Sequence, residues 1–195
     1  MKKLTTLLLI SLTVLVSACS NNMSSDSVAK KSMMAMPFGT SMDTDYAQQL
    51  WQALNNAKLA GNGAIETVPY KGQPPHGAVL ETFSSKLSVA GHSGVVYVKR
   101  NYRGKDITRS RVANNRGKYL KAVTVMFKRE KGYDPENKDW FWAKYKPDGS
   151  LHSNPKGMLL AGRVAKGMNM GCISCHRAAP GGDYLFNNTA AQLDH

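Results

Sequence analysis

Two thiols and an imidazole stand together near the end of this 195-residue chain, as Cys172-Ile173-Ser174-Cys175-His176. Thiols three positions apart can each form a thioether with one of the two vinyl groups of a porphyrin. The histidine directly after them is then held at the iron as an axial ligand. The same pair could serve as a redox dithiol or as half of a zinc site. Zinc requires a second ligand pair, and the whole chain holds only three cysteines. No βαβ pattern surrounds the motif, which argues against a thioredoxin-like dithiol. The reading that remains is one covalently attached haem c, with Cys172 and Cys175 on the porphyrin and His176 on the iron.

The third cysteine lies at the other end. Lys2 and Lys3 form a positive start, Leu7 to Val16 a short apolar run, and Leu15-Val16-Ser17-Ala18 leads through small residues into Cys19. The run is too short to span a bilayer and has the layout of a cleavable signal peptide. Its end resembles the lipobox of bacterial lipoproteins, in which the cysteine is acylated and becomes the mature N-terminus. The expectation is a signal peptide over 1–18 and a lipid anchor at Cys19, on the periplasmic side of the cell envelope. Ordinary secretion with a free Cys19 is the alternative. Haem is attached covalently outside the cytoplasm, so the two ends agree, and no thiol remains for a disulfide.

Charge bounds the partners. Without Lys2 and Lys3, 24 of the 26 basic residues remain against 13 acidic ones, leaving about +11 before the haem propionates subtract about two. An exported location argues against nucleic acid, and the basic residues form no block of five or more. An acidic redox partner or anionic headgroups fit such an excess, with a plain solvated surface as the default.

The positioning elements are legible in outline. Residues 19–42 are rich in Ser, Met and Asn and read as a flexible tether. Its methionines lack the His or Cys that would make them a soft-metal site. A helix is expected over Asp43–Leu59, where Tyr46, Leu50, Trp51 and Leu54 recur at helical spacing and Asp45 offers a cap. Strands are expected over Ala78–Leu87, Val95–Arg100, Leu120–Lys128 and Phe141–Lys146, each bounded by turn residues. Pro74 and Pro75 mark a loop; Asn114-Asn115-Arg116-Gly117 and Pro147-Asp148-Gly149 mark turns. The fold class is therefore α+β: a mainly antiparallel sheet with flanking helices and a haem-bearing C-terminal segment, one domain over 43–195.

Nineteen residues follow His176 and none is methionine. A sixth ligand must come from upstream, where His76, His92, His152, Met126, Met158, Met168 and Met170 stand. An open or weakly held sixth position is preferred, giving an iron that binds a small molecule such as nitric oxide or hydroxylamine. Plain electron carriage is disfavoured.

The run Gly132-Tyr133-Asp134-Pro135-Glu136-Asn137, then Asp139-Trp140-Phe141-Trp142-Ala143-Lys144-Tyr145 and Pro147-Asp148-Gly149, resembles the cytochrome P-460 family. So does the end, where Gly171 and the Cys172–His176 motif precede Asp183-Tyr184-Leu185-Phe186. The resemblance covers roughly residues 70 to 190. It implies a mainly antiparallel sheet with flanking helices, usually dimeric, holding a c-type haem. It also implies two different activities. Cytochromes P-460 oxidise hydroxylamine, handle nitric oxide and pass electrons to a partner cytochrome. The related cytochromes c′-beta bind nitric oxide or carbon monoxide at a haem capped by apolar side chains. The β-rich centre excludes the four-helix cytochromes c′.

The P-460 enzymes carry a lysine bonded to the porphyrin, on a strand with a Val-Lys pattern. Val95-Val96-Tyr97-Val98-Lys99 looks similar, which makes Lys99 the candidate. Alternation places Val95, Tyr97 and Lys99 on one face and Val96, Val98 and Arg100 on the other. Such a bond needs a neutral amine and hence a desolvated site. Glu81, Glu130 and Asp139 are carboxylates near the sheet, none singled out as a base. Phe83, Phe127 and Phe141 are candidate caps over the haem, with core packing the commoner use of such residues.

Overall fold

The structure is a computed structural model and describes residues 37–186. Six antiparallel strands follow one another across a single sheet in chain order. They are β1 (Tyr70–Lys71), β2 (Val79–Val89), β3 (His92–Tyr102), β4 (Leu120–Lys128), β5 (Trp140–Tyr145) and β6 (Ala161–Gly162). Helix α1 (Ser41–Asn56) precedes them, and short helices α2 (Arg109–Asn114) and α3 (Arg116–Tyr119) join β3 to β4. A 3-10 turn (Pro135–Asn137) precedes β5, and α4 (Cys172–His176) lies beyond β6. Cys19 and the expected signal peptide lie outside the described residues. Among those described, no helix is long and apolar enough to cross a membrane.

The mainly antiparallel α+β class holds, and the boundaries move for local reasons. Helix α1 starts at Ser41, ahead of the expected Asp43, because Thr40 rather than Asp45 caps it. The Asp43 amide donates to Thr40 Oγ1 at 3.2 Å, and the Thr40 amide donates back to the Asp43 carboxylate at 3.1 Å. This reciprocal pair satisfies two donors that the first turn would otherwise leave bare. Phe38, just before the cap, is buried. The Asn114–Gly117 turn resolves into two helices, since Asn115 ends α2 and its side chain then accepts from the Lys118 amide to start α3.

One face of the sheet is closed. Val96 and Val98 of β3, Val123, Val125 and Phe127 of β4, and Phe141, Ala143 and Tyr145 of β5 pack against Tyr46, Ala47, Leu50 and Leu54 of α1. Tyr145 donates its hydroxyl to the Ala47 carbonyl at 2.7 Å, tying β5 to the helix. Phe127 and Phe141, with Phe83 against them, therefore fill the helix-side core and do not cap the haem face. Pairing Phe127 with Phe141 across β4 and β5 puts both rings on this side by strand alternation.

Glu81 is fully buried at the edge of the same face. Its carboxylate accepts from Arg116 Nε at 2.8 Å, from Arg100 at 3.3 Å and from the Tyr102 hydroxyl at 2.5 Å. Arg100 also donates to the carbonyls of Leu59 and Ile65, so the cluster pins the α1–β1 connector to the sheet. Replacing Glu81 with Ala leaves the buried Arg100 guanidinium without its counter-charge, and urea denaturation should show a loss of about 3–5 kcal/mol. Glu66 also meets Arg116, at 2.9 Å, but its side chain is 65% exposed. Glu66→Ala should cost less than about 1 kcal/mol.

Candidate haem site

Alternation assigns the opposite face. Across β3, β4 and β5, Lys99 stands opposite Thr124 and Thr124 opposite Lys144, while Tyr97, Met126 and Trp142 form the adjacent row. Met126 and Trp142 are covered by Val164, Ala165, Ile173 and Tyr184 from the C-terminal segment and by Phe38 from the N-terminal side. The Lys99–Thr124–Lys144 row is only half-buried although it crosses the middle of the sheet. A central row left partly open is a cradle rather than a core. Lys99 and Lys144 both stand there, and no ion pair to a carboxylate holds either one among the described residues.

The C-terminal segment brings the motif to this cradle. Gly171 starts α4 at φ +126°, and a Cβ there would lie 2.4 Å from the Ala165 side chain. The glycine thus permits the close approach that seats the motif. Ile173 is fully buried, Cys172 is half-buried and Cys175 is exposed. Burial pushes the Cys172 thiol up to about 11.

His176 Nδ1 lies 2.7 Å from the Tyr184 carbonyl oxygen. A carbonyl only accepts, so Nδ1 carries the proton and Nε2 keeps its lone pair. Burial lowers the imidazole's pKa, and the Lys99 charge lowers it further, against the opposing hydrogen bond. The Trp142 ring lies 4.9 Å from the His176 ring and the Phe186 ring 5.4 Å, centroid to centroid. Trp142 Nε1 is buried without a hydrogen-bond partner. An orphaned donor, two amines without anions and an imidazole with a free Nε2 fit a group that carries both a metal and carboxylates.

Lys99 is where the sequence placed it, on the His176 side of β3, and burial lowers its ammonium below the ordinary value. His76 joins the same site, its ring 6.1 Å from that of His176. Its Nδ1 lies 3.0 Å from Asn101 Oδ1. Asn101 is fixed in turn, donating through Nδ2 to the Lys99 and Ala122 carbonyls and to Thr124 Oγ1. Burial first, and the Lys99 charge second, bring His76 down to about 4.

Of the other sequence candidates, Met126 and Met158 pack in the apolar cluster around Trp142, and the others named next lie elsewhere or are already engaged. His92 and His152 turn Nε2 to the Lys128 and Lys121 carbonyls. Met126 stays in the covered row, and Met170 is largely exposed. Glu81 is locked on the closed face. Glu130 is exposed and paired with Arg129, whose hydrogen bonds hold it down at about 2. Asp139 accepts from the Asp134 amide in the turn before β5. Lys144, Trp142 and Asn101 are site residues that the sequence reading did not single out. Lys144 could have been found by carrying the Lys99 face across the sheet, but that needs the register.

The Gly132–Asn137 run explains itself at a distance from the motif. Asn137, fully buried, donates to Asp134 at 2.7 Å and accepts from Arg177 at 3.2 Å and from the Tyr184 hydroxyl at 3.1 Å. Lys166 pairs with Asp134 at 2.6 Å. The turn thus clamps the residue whose carbonyl orients His176.

The sequence description of the cytochrome P460 family matches the chain over residues 85–187. The match covers more than half of the sequence and includes the end of β2, strands β3 to β6, the clamp turn and the motif. The chain belongs to the cytochrome P460 family, and is a haem protein of the P460 or c′-beta kind. No curated protein matches, and no solved structure does.

Tyr184→Phe removes the hydroxyl from Asn137 and from the Glu136 carbonyl but keeps the backbone carbonyl that orients His176. Thermal unfolding should show a loss of about 1 kcal/mol. Limited proteolysis should cut residues 177–186 sooner, and the visible absorption should stay unchanged.

Proposed function

We propose that the chain is an exported, lipid-anchored monohaem c protein that oxidises hydroxylamine or nitric oxide. The observation that carries the reading is Lys99, a desolvated amine on the same sheet face as His176. The P-460 enzymes bond a lysine to the porphyrin, and a lowered ammonium pKa makes the neutral amine available for that bond. Haem supplies an iron that binds small nitrogen compounds and accepts their electrons.

The chain's own groups do the rest. Cys172 and Cys175 would hold the haem by adding across its vinyl groups, each S–H giving one C–S and one C–H bond with no net redox change. His176 presents Nε2 while Tyr184 holds Nδ1. A Lys99 bond would replace one N–H and one porphyrin C–H by C–N, and would need a two-electron oxidant such as a peroxide to take the two protons and two electrons released. Lys144 would offer hydrogen-bond donors to a porphyrin carboxylate. Trp142, Met126 and Ile173 exclude water from one side.

Electrons leave to an acidic redox partner in this reading. Supporting it, a surface depression of about 370 Å³ is lined by Arg103, Lys105, Arg111, Lys118 and Lys121, with Asp106 as its one carboxylate. The export reading rests on Lys2, Lys3, the Leu7–Val16 run and Cys19, and nucleic acid has no place in it. Cys19→Ala should move the protein from the membrane fraction to the soluble one.

A second reading, a non-catalytic nitric oxide or carbon monoxide binder of the c′-beta type, is favoured by one observation. None of Glu81, Glu130 and Asp139 reaches the Lys99–His176 face, so these carboxylates are not placed to take protons there.

Absorption of the reduced protein with peptide mapping separates the two. A strongly red-shifted main band and Lys99 joined to haem support the enzyme. An ordinary c-type spectrum with free Lys99 favours the gas binder. In either case Cys172→Ala with Cys175→Ala should abolish haem retention through denaturation, and retention would sink the covalent reading.

A further inference from the structure

We infer that His76 is the second axial ligand of the iron in the resting protein, opposite His176, and that a nitrogen ligand reaches the iron by displacing it. The inference rests on the haem reading above, with His176 on the metal.

Proton placement comes first. Asn101 Nδ2 donates to the backbone carbonyls of Lys99 and Ala122, which fixes Oδ1 as the acceptor. The Gly77 amide donates to that same oxygen at 3.3 Å. His76 Nδ1 must therefore be the donor, and its Nε2 carries a lone pair. His176 has the same arrangement through the Tyr184 carbonyl. Neither Nε2 makes a hydrogen bond among the described residues. Two imidazoles with bare Nε2 lone pairs, half-buried on one sheet face, cannot hydrogen-bond each other. A metal between them satisfies both.

Separation then decides the role. An imidazole nitrogen bonds a first-row metal at about 2 Å, so two imidazoles sharing one iron hold their ring centroids about 6 Å apart. The observed separation is 6.1 Å, with the rings perpendicular. A base acting on an iron-bound substrate would need room for that substrate plus a hydrogen bond of about 3 Å, placing the second ring several ångströms farther away. The spacing fits a ligand and is too short for a distal base.

The ligand is also built to move. His76 sits on the connector between β1 and β2, outside the ladder, where Arg103 holds the Pro75 and His76 carbonyls at 2.5 and 2.7 Å. It lines an open depression of about 400 Å³ beside Lys71 and Arg103, which gives the ring space to swing out while the backbone stays anchored. His92 and His152 cannot substitute, since their Nε2 atoms are engaged with carbonyls.

Electron paramagnetic resonance of the ferric holoprotein tests this. The wild type should be low-spin. His76→Ala should be high-spin, should return to low spin with added imidazole, and should bind cyanide about tenfold more tightly or better, because a competing ligand is gone. A high-spin wild type, or a spectrum unchanged by His76→Ala, would overturn the assignment. Should the variant not fold, near-infrared magnetic circular dichroism of the wild type reads the axial pair directly. A bis-imidazole band supports His76, and any other pair overturns it. A denaturing gel keeps the two readings apart: haem lost on the gel from a low-spin native protein would sink covalent attachment and leave His76 in place.

Discussion

Everything at the site depends on β3 having two faces. Strand alternation sends Val96 and Val98 into the helix-side core and Tyr97 and Lys99 the other way. The register cannot slip by one residue without putting Lys99 among Phe127, Phe141 and Leu50 and exposing two valines. The closed core therefore fixes the amine's direction, and α1 contributes to the site without touching it. A lysine desolvated at mid-sheet is costly by itself. It is tolerated because the fully buried core on the reverse side holds the strand in place.

The second constraint runs through the backbone. Tyr184 orients His176 with its carbonyl and is itself held by a hydroxyl bond to Asn137. Asn137 belongs to a turn between β4 and β5, so the axial histidine is referenced to the sheet by a short chain of hydrogen bonds. The two sequence segments that carry the family likeness, the Gly132–Asn137 run and the C-terminal motif, are thus the two ends of one clamp. Their separation in sequence hides a contact of about one hydrogen-bond length.

This explains what could be read in advance. The four long strands were visible because β-branched and aromatic residues alternate between turn signals, and Leu120–Lys128 came out with its ends correct. Lys99 and the Cys172–His176 motif were visible because each is a local pattern. Strands β1 and β6 span two residues each and have no period to detect. Lys144, Asn101 and His76 were not resolved as site residues, since their roles exist only across the sheet. His76 stood among seven upstream candidates, and only the Asn101 oxygen and the 6.1 Å spacing separate it from the others. Which side the phenylalanines take is not legible for a related reason: an aromatic in a strand advertises burial but not which face, and here core packing holds over haem capping.

Besides the Asn137 clamp, two clusters of charge and dipole stand on opposite faces of the sheet among the described residues, and hydrogen-bond satisfaction tells them apart. Glu81 is fully buried, yet Arg100, Arg116 and Tyr102 account for its oxygens. A saturated cluster has nothing left for a ligand, and its work is to hold the α1–β1 connector. Across the sheet the balance is reversed. Trp142 Nε1, the Nε2 atoms of His76 and His176, and the amines of Lys99 and Lys144 face one region with donors and lone pairs unspent. Folding alone does not favour the buried Trp142 Nε1, because an unpaired buried group costs about 1–3 kcal/mol. The half-buried imidazoles and amines around it suit a group that takes lone pairs at its centre and offers anionic oxygens at its rim, and a haem has both.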